Sequence, residues 1–258
     1  MLGTMFSRKT RTPPAPAVRA RIFLDLTQTV VYAVGDVHGC YDALASLESK
    51  IVEDARSHDG RKLMIMLGDY VDRGPDTARV LAHLAGPPPA GFERICLAGN
   101  HDAAMLDYLE GRTGLEDWLA LKARPTLYSY GIDPDHLAGL LRRPGEVDEA
   151  IRGSIPEAHV AFLRGLPVIA FSRRLVFVHA GIRPGIPLEE QTDADLMTIR
   201  RGFLDAQAPF ERWVIHGHTP VDFPRPNGRR LGIDTGVCES GRLTALRVIG
   251  SRGHLLFS

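Results

Sequence analysis

The chain has 258 residues, of which 44% are hydrophobic and 24% are charged, and its formal net charge at pH 7 is zero. This length is sufficient to bury a large hydrophobic core, so a single domain is the expectation. The balanced charge argues against a nucleic-acid-binding protein, which usually has a basic excess, and the lack of a long apolar stretch argues against a membrane-spanning one.

The first residues of the chain differ from the rest in composition. Basic residues are interspersed with Ser and Thr at 7–12, and prolines follow at 13, 14 and 16. Such a segment has too little apolar surface to pack, so we expect residues 1 to about 21 to form a disordered, basic and proline-rich tail. Residues 22–258 are then expected to form one domain.

The remainder contains five apolar runs, and a short motif with Asp, Asn or His follows each of them. Apolar runs that end in polar loops are typical of buried strands whose ends carry functional side chains. The runs lie at 30–34, 63–67, 95–98, 175–178 and 213–215, and the motifs are GDVHG at 35–39, GDYVDRG at 68–74, GNHD at 99–102, VHAG at 178–181 and HGHT at 216–219.

Helical patterns separate these strands. Residues 42–51 have the apolar spacing of an amphipathic helix, and Pro75 stands near the start of a second helix. The segment from 102 to 171 is mainly helical, with a helical insertion at about 111–164, and the chain becomes strand-rich after residue 213. This order of elements fits an α/β fold with two packed sheets flanked by helices.

The motifs combine oxygen and nitrogen donors with glycine. Glycine lets the backbone approach an ion or a phosphate without a Cβ in the way. Asp, Asn and His without a thiolate suit Mn, Fe or Zn better than Cu(I) or a closed structural zinc site. The pattern therefore predicts a phosphoesterase with two divalent metal ions.

The order of the motifs resembles that of the metallophosphoesterase superfamily, and within it the bacterial phosphoprotein phosphatases, which are similar to serine/threonine protein phosphatases. Their signatures are GDxHG, GDxxDRG and GNHD or GNHE, followed by two isolated histidines. The resemblance spans about residues 30–250. It implies an α/β fold, a four-layer αββα sandwich of the calcineurin-like metallophosphoesterase type, with 22–258 as a single catalytic domain and the metals at one edge of the sheets.

The resemblance also implies a set of metal ligands. Two metals roughly 3.5–4 Å apart would hold a hydroxide between them as the nucleophile at phosphorus. A carboxylate shared by the two dications would offset their repulsion. The implied ligands are Asp36, His38 and Asp69 for the first metal and Asn100, His179 and His218 for the second, with Asp69 bridging.

Further residues are implied to act on the substrate. His101 would protonate the leaving oxygen, and Asp72 would orient and charge its imidazole. Arg73 and Arg200 would bind phosphate oxygens, since a guanidinium offers two parallel hydrogen bonds. Asn100 would contact the phosphate as well as the second metal.

The role of Arg200 depends on a weaker match. Residues 195–204 resemble the family stretch LLWIRxxFL, but Thr198 stands at the position of Trp. Because Arg201 is adjacent, a solvated helix face is the alternative interpretation of this segment. His216 is not expected to be a ligand, since the family ligand is the histidine that follows the glycine.

Three functions remain open. The first is a phosphomonoesterase acting on phosphorylated protein or a small phosphoester. The second is a symmetrical dinucleoside tetraphosphate hydrolase, although such relatives tend to have Gln in place of His38 and to lack Asp72. The third is a non-catalytic metal-binding scaffold, which is expected to have lost the acid or a ligand. The residues present favour the protein phosphatase.

Cys40, Cys96 and Cys238 lie far apart in the sequence and show no CxxC spacing. This is typical of reduced cysteines in a cytoplasmic protein, and packing is the expected role of Cys40.

Mn is the expected metal in vitro, with Fe or Zn as alternatives. The sequence does not indicate the oligomeric state.

Overall fold

The computed structural model describes residues 17–141, 143, 145–207 and 210–258. The strands are β1 (Arg21–Phe23), β2 (Thr29–Val34), β3 (Arg61–Met66), β4 (Phe92–Cys96), β5 (Ile169–Phe171), β6 (Leu175–Val178), β7 (Trp213–His216), β8 (Arg230–Gly232), β9 (Thr244–Ile249) and β10 (Arg252–Phe257). The helices are α1 (Tyr41–Ala55), α2 (Thr77–Ala85), α3 (Asn100–Leu109), α4 (Leu115–Leu119), α5 (Arg124–Ser129), α6 (Pro134–Leu140), α7 (Glu146–Ser154), α8 (Glu157–Gly165), α9 (Asp193–Thr198) and α10 (Val237–Ser240).

Two five-stranded sheets form the centre of the fold. Their strand orders are β1-β5-β6-β7-β8 and β10-β9-β2-β3-β4. Within them β2, β3 and β4 pair in parallel, as do β6, β7 and β8. Parallel strands end at the same edge of a sheet, so the loops that follow these strands can meet there.

Alternate residues of β2 contribute to two core layers. Val31 and Ala33 belong to a buried cluster with Phe177 of the other sheet, so this cluster lies between the sheets. Val30 and Tyr32 belong to a second cluster that includes residues of α1, α2 and α3. Since side chains alternate across a strand, a strand covered on both faces is apolar at nearly every position.

A third cluster covers the outer face of the first sheet. Val176, Val178 and Val214 pack there with Leu196 of α9. The layers therefore follow the order helices, sheet, sheet and helix. The predicted four-layer α/β sandwich is confirmed.

Each of the five apolar runs overlaps a strand, although residues 67, 97 and 98 lie beyond the ends of β3 and β4. Within the segment that was predicted to form the tail, residues 19–21 are held by hydrogen bonds. The Arg19 backbone N–H donates to Asp193 Oδ2 at 2.8 Å, and the Arg19 guanidinium donates to the carbonyls of Leu163 and Leu166 at 3.0 Å each. β1 then pairs with β5. Hydrogen bonds of Arg19 hold this segment. The prediction was based on the low apolar content of the segment, which does not indicate such bonds. Residues 1–16 lie outside the described residues.

The helical insertion expected at about 111–164 contains α4 to α8. The alternative interpretation of Arg200 as part of a solvated helix face does not fit the structure, because α9 ends at Thr198 and the backbone of Ile199 is extended, with φ −62° and ψ 135°. Within the part of the chain that the structure describes, no helix is both long and apolar enough to cross a bilayer.

Candidate metal centre

The five motifs meet at the carboxyl ends of five strands. The segments after β2, β3 and β4 carry Asp36, Asp69 and Asn100, and those after β6 and β7 carry His179 and His218. Backbone hydrogen bonds join the loops, with the N–H of residue 38 donating to the carbonyl of residue 69 at 2.8 Å and that of residue 217 donating to residue 179 at 2.8 Å. The sequence-predicted ligands are thus brought together.

Several residues of these loops have a left-handed backbone, which only glycine adopts readily. Such conformations persist where the surrounding structure enforces them, and they concentrate at functional sites. The non-glycine residues concerned are His38 (φ 43°), Asp69 (φ 51°), Asp72 (φ 68°), Arg73 (φ 69°) and His218 (φ 65°).

Asp69 lies between two histidines of fixed orientation. His38 Nδ1 is 2.8 Å from the Val71 carbonyl, and His179 Nδ1 is 2.9 Å from the Leu67 carbonyl. Because a carbonyl only accepts, each Nδ1 is assigned the proton and each Nε2 a lone pair. His38 Nε2 lies 3.5 Å from Asp69 Oδ2, and His179 Nε2 lies 3.4 Å from Asp69 Oδ1. The two carboxylate oxygens of Asp69 therefore face the Nε2 lone pairs of two different histidines.

The surroundings favour the neutral, ligating form of these rings. Burial lowers the pKa of His38 to about 4 and also lowers the pKa of His179. Burial, followed by the neighbouring His179, lowers the pKa of His218 to about 3. Neutral imidazole is the form that binds a metal ion.

The donor atoms around Asp69 fit metal ions. His179 Nε2 lies 3.1 Å from Asn100 Oδ1 and 3.2 Å from His218 Nδ1. The amide oxygen and the unprotonated Nε2 are both acceptors, so they do not satisfy each other, whereas a cation between them satisfies both. Among the residues that the structure describes, two groups of side chains have ligand atoms close enough together to hold an ion. They are His38, Asp69 and His101 on one side and Asp69, His179 and His218 on the other.

Asp36 supports the same conclusion. Its Oδ2 accepts the His218 backbone N–H at 3.0 Å, but its Oδ1 is buried without a hydrogen-bond partner. Burial, followed by the charges of Asp234 and Asp69, raises the pKa of Asp36 well above its usual range. A buried, unpaired carboxylate is costly, and a bound cation would remove that cost.

Two glycines make room for the carboxylates. A Cβ at Gly99 would lie 2.1 Å from Asp69 Oδ1, and a Cβ at Gly217 would lie 1.9 Å from Asp36 Oδ1. Both distances are far below van der Waals contact, so these positions exclude any larger residue while the carboxylates stay in place.

A histidine–aspartate pair adjoins the metal ligands. His101 Nδ1 donates to Asp72 Oδ2 at 2.8 Å, and Arg73 Nη2 lies 3.4 Å from His101 Nε2. Burial opposes a charged His101, but the hydrogen bond to Asp72 and the charges of Asp69 and Asp72 outweigh it and raise the pKa of His101. The Arg73 Nε is buried without a hydrogen-bond partner, so an anion that reached the guanidinium would find a free donor.

Arg200 contacts the loop after β7, and His216 is the last residue of that strand. Arg200 Nη2 donates to the His218 carbonyl at 3.3 Å, which places this exposed arginine at the edge of the metal site. His216 is buried, with Nδ1 3.1 Å from the Gly217 carbonyl and its ring against the edge of Phe203. It packs beneath the site.

A family comparison agrees with this geometry. The model of the calcineurin-like phosphoesterase family matches residues 29–240, which is most of the chain. The chain belongs to this family. It is therefore a metallophosphoesterase hydrolase, and members of the family use a divalent metal centre.

Relatives within the family have names that refer to nucleotides. The chain is 28% identical over 235 residues to the asymmetrical bis(5'-nucleosyl)-tetraphosphatase PrpE of Bacillus subtilis (strain 168), covering 83% of this chain and 88% of that protein. It is 30% identical over 234 residues to the protein of the same name from Halalkalibacterium halodurans, with the same two coverages.

Solved structures share the fold. A protein provisionally described as a diadenosine tetraphosphatase matches with a TM-score of 0.63 at 20% identity, covering 93% of this chain and 98% of that one. A mutant of a cold-active protein tyrosine phosphatase matches with a TM-score of 0.55 at 17% identity, covering 92% of this chain and 82% of that one. At these identities the likeness concerns the fold alone.

Asp102 supports the loops of the site, and sequence reasoning missed this contact. Its Oδ2 accepts the backbone N–H groups of Asp69 at 2.8 Å and Gly99 at 2.9 Å, and its Oδ1 accepts that of Tyr70 at 2.9 Å. It therefore holds the loop that carries the bridging carboxylate. The only signal in the sequence was an acidic residue at the third position of a helix. This pattern indicates a helix cap, but it does not predict the contact with the loop after β3.

Two cysteines beneath the site were not predicted to meet. The Sγ atoms of Cys40 and Cys238 are 3.3 Å apart, and they lie 3.5 and 3.4 Å from the His38 carbonyl. Both are free cysteines. Because 198 residues separate them in the sequence, no spacing pattern could indicate the contact.

Proposed function

We propose that this chain hydrolyses phosphomonoesters and that phosphorylated protein is its substrate class. The observation that carries the proposal is the buried pair of His101 and Asp72, with 2.8 Å between Nδ1 and Oδ2. An alkoxide leaving group, as in phosphoserine, is strongly basic and needs a proton as it departs. A departing nucleotide phosphate is a weak base and needs a general acid much less.

The metal ligands are assigned by the same proposal. The first ion would be held by Asp36, His38 and Asp69, and the second by Asp69, Asn100, His179 and His218. In support, Nε2 of His38 and of His179 face Asp69, and Asp36 Oδ1 is buried without a hydrogen-bond partner. Two divalent ions supply Lewis acidity and activate a water molecule when they are bound. Mn²⁺ is proposed as the ion that restores activity in vitro, and Fe and Zn suit the same donors.

The protein's own residues orient the phosphate and deliver a proton. Arg73 and Arg200 flank the ligands and pair with non-bridging phosphate oxygens. His101 gives its Nε2 proton to the leaving oxygen, while Asp72 keeps Nδ1 protonated and favours the charged ring. The 3.4 Å between Arg73 Nη2 and His101 Nε2 supports this division of roles, since one phosphoester must reach both groups.

A second candidate is hydrolysis of dinucleoside tetraphosphates. It is favoured by the names of the Bacillus subtilis and Halalkalibacterium halodurans relatives. Those names specify asymmetrical cleavage, which gives a nucleoside triphosphate and a monophosphate, whereas the symmetrical reaction considered from the sequence gives two diphosphates. Three cysteines without a CxxC spacing suit a cytoplasmic location for either enzyme.

A substrate panel separates the two candidates. Metal-reconstituted protein would be assayed with phosphoserine, phosphothreonine and phosphotyrosine peptides and with diadenosine tetraphosphate, with products resolved by chromatography. The proposal predicts the highest kcat/KM on a phosphopeptide. A kcat/KM on diadenosine tetraphosphate above that on every phosphopeptide would replace it with the second candidate, and the nucleotide products would identify the bond cleaved.

A further inference from the structure

Two side chains of the helical insertion contact Asp72. Thr126 Oγ1 donates to Asp72 Oδ1 at 2.9 Å and accepts the Asp72 backbone N–H at 2.8 Å. Trp118 Nε1 donates to Asp72 Oδ2 at 3.3 Å, and this is the oxygen that also accepts from His101 Nδ1. All four side chains are buried. The carboxylate therefore receives donors from α3, α4 and α5.

The donors and acceptors around Thr126 determine the direction of its hydroxyl proton. Thr77 Oγ1 lies 3.1 Å from Thr126 Oγ1. A hydroxyl has one proton and two acceptor sites. Since the Thr126 proton is used on Asp72, the Thr77 hydroxyl donates to Thr126, and the backbone N–H of Asp72 occupies the other acceptor site. The threonine cannot turn its proton away from Asp72 without losing a buried hydrogen bond.

The same insertion holds the backbone on either side of this carboxylate. The Arg73 N–H donates to the Lys122 carbonyl at 3.1 Å. Asp72 and Arg73 are consecutive left-handed residues, with φ 68° and 69°. Non-glycine residues adopt this conformation only where their surroundings enforce it. The segment 118–126 therefore helps to hold the backbone of this loop as well as the orientation of the Asp72 carboxylate.

We propose that Trp118 and Thr126 are positioning residues for the general acid. They hold Asp72 so that its Oδ2 faces His101 Nδ1, which fixes the imidazole with Nε2 toward the leaving group. The role rests on the proposed function, because it concerns the proton given to a leaving oxygen. The helical insertion thereby takes part in the chemistry of the site through Asp72.

The test uses three variants of the full-length protein. Thr126→Val removes the hydroxyl at nearly constant volume, and Thr126→Ser keeps it. Trp118→Phe removes the indole N–H together with part of the ring volume, so it is the less conservative of the changes. Each would be assayed on an alkyl phosphate and on p-nitrophenyl phosphate, and metal content would be measured by elemental analysis. The imidazole N–H signals would be recorded by NMR on protein with ¹⁵N-labelled histidine, with His101→Ala used to assign the signal of His101.

The expected result is a loss that depends on the leaving group. Thr126→Val should lower kcat/KM on the alkyl phosphate by about 10-fold or more, a part of the roughly 10²–10⁴ that a general acid contributes. The loss on p-nitrophenyl phosphate should be much smaller, metal content should be unchanged, and the His101 N–H signal should shift. Thr126→Ser should restore the wild-type profile, and Trp118→Phe should show the same pattern at smaller amplitude because its hydrogen bond is longer.

Equal losses on both substrates, or a valine variant with an unchanged His101 signal, would overturn the proposal. If Thr126→Val does not fold, Trp118→Phe decides by the same criteria. If the wild type cleaves neither phosphoester, the proposed function fails, and the NMR comparison then decides the positioning role alone.

Discussion

Gly217→Ala tests the metal site with a single added methyl group. The new Cβ would lie 1.9 Å from Asp36 Oδ1, and a normal C···O contact is about 3.3 Å, so the oxygen must move by roughly 1.4 Å. Gly217 is not among the glycines with positive φ, so alanine is compatible with the backbone. The atom it strikes, Asp36 Oδ1, has no hydrogen-bond partner, and it lies at the end of a side chain.

The variant should therefore fold while losing a ligand. Ligand distances in metal sites hold to about 0.2 Å, far less than the displacement. We expect the melting temperature of the metal-free protein to change little, the metal content to fall, and kcat/KM to drop by about 10²-fold, the usual cost of a 1 Å misplacement. Elemental analysis, calorimetry and a phosphatase assay would measure the three quantities.

The matched control is Gly153→Ala in α7. A Cβ there meets nothing within 4 Å, so this variant should keep its metals and activity and gain about 0.5–1 kcal/mol of stability. A Gly217→Ala protein with two metals per chain and wild-type kcat/KM would refute the assignment of Asp36 as a ligand.

Three further predictions concern neighbouring residues. Gly99→Ala should lower the melting temperature as well as metal content, because its Cβ would lie 2.3 Å from the backbone nitrogen of Asp69, which cannot move aside. His101→Ala should cost roughly 10²–10⁴ in turnover on alkyl phosphates and less on p-nitrophenyl phosphate; the exposed His136→Ala is its control, and equal losses on both substrates would make His101 a structural or binding residue. Arg73→Ala should keep two metals but lose activity, whereas Asp69→Asn should lose both, and metal loss in Arg73→Ala would refute its assignment to the phosphate.

Much of the fold was predictable because burial on both faces makes a strand apolar over most of its length. β2 and β6 were visible for this reason, and the motifs that follow them mark the edge where the loops meet. The tautomers of His38 and His179 were not predictable, since carbonyls on other loops determine them.

The contacts around Asp72 were beyond sequence reasoning for a related physical cause. Trp118 and Thr126 lie 46 and 54 residues from Asp72, and their helices have no motif that points to a carboxylate. Arg19 was misjudged because its guanidinium hydrogen-bonds carbonyls from a distant helix end. Long-range polar contacts of this kind follow from the packed fold and leave no periodic signal in the chain.

Anomalous diffraction from crystals of the Mn²⁺-reconstituted protein tests the two-metal site most directly. Two peaks roughly 3.5–4 Å apart are expected, with Asp69 between them, one next to His38 and Asp36 and the other next to His179 and His218. A single peak, or two peaks that do not share Asp69, would contradict the two-metal site.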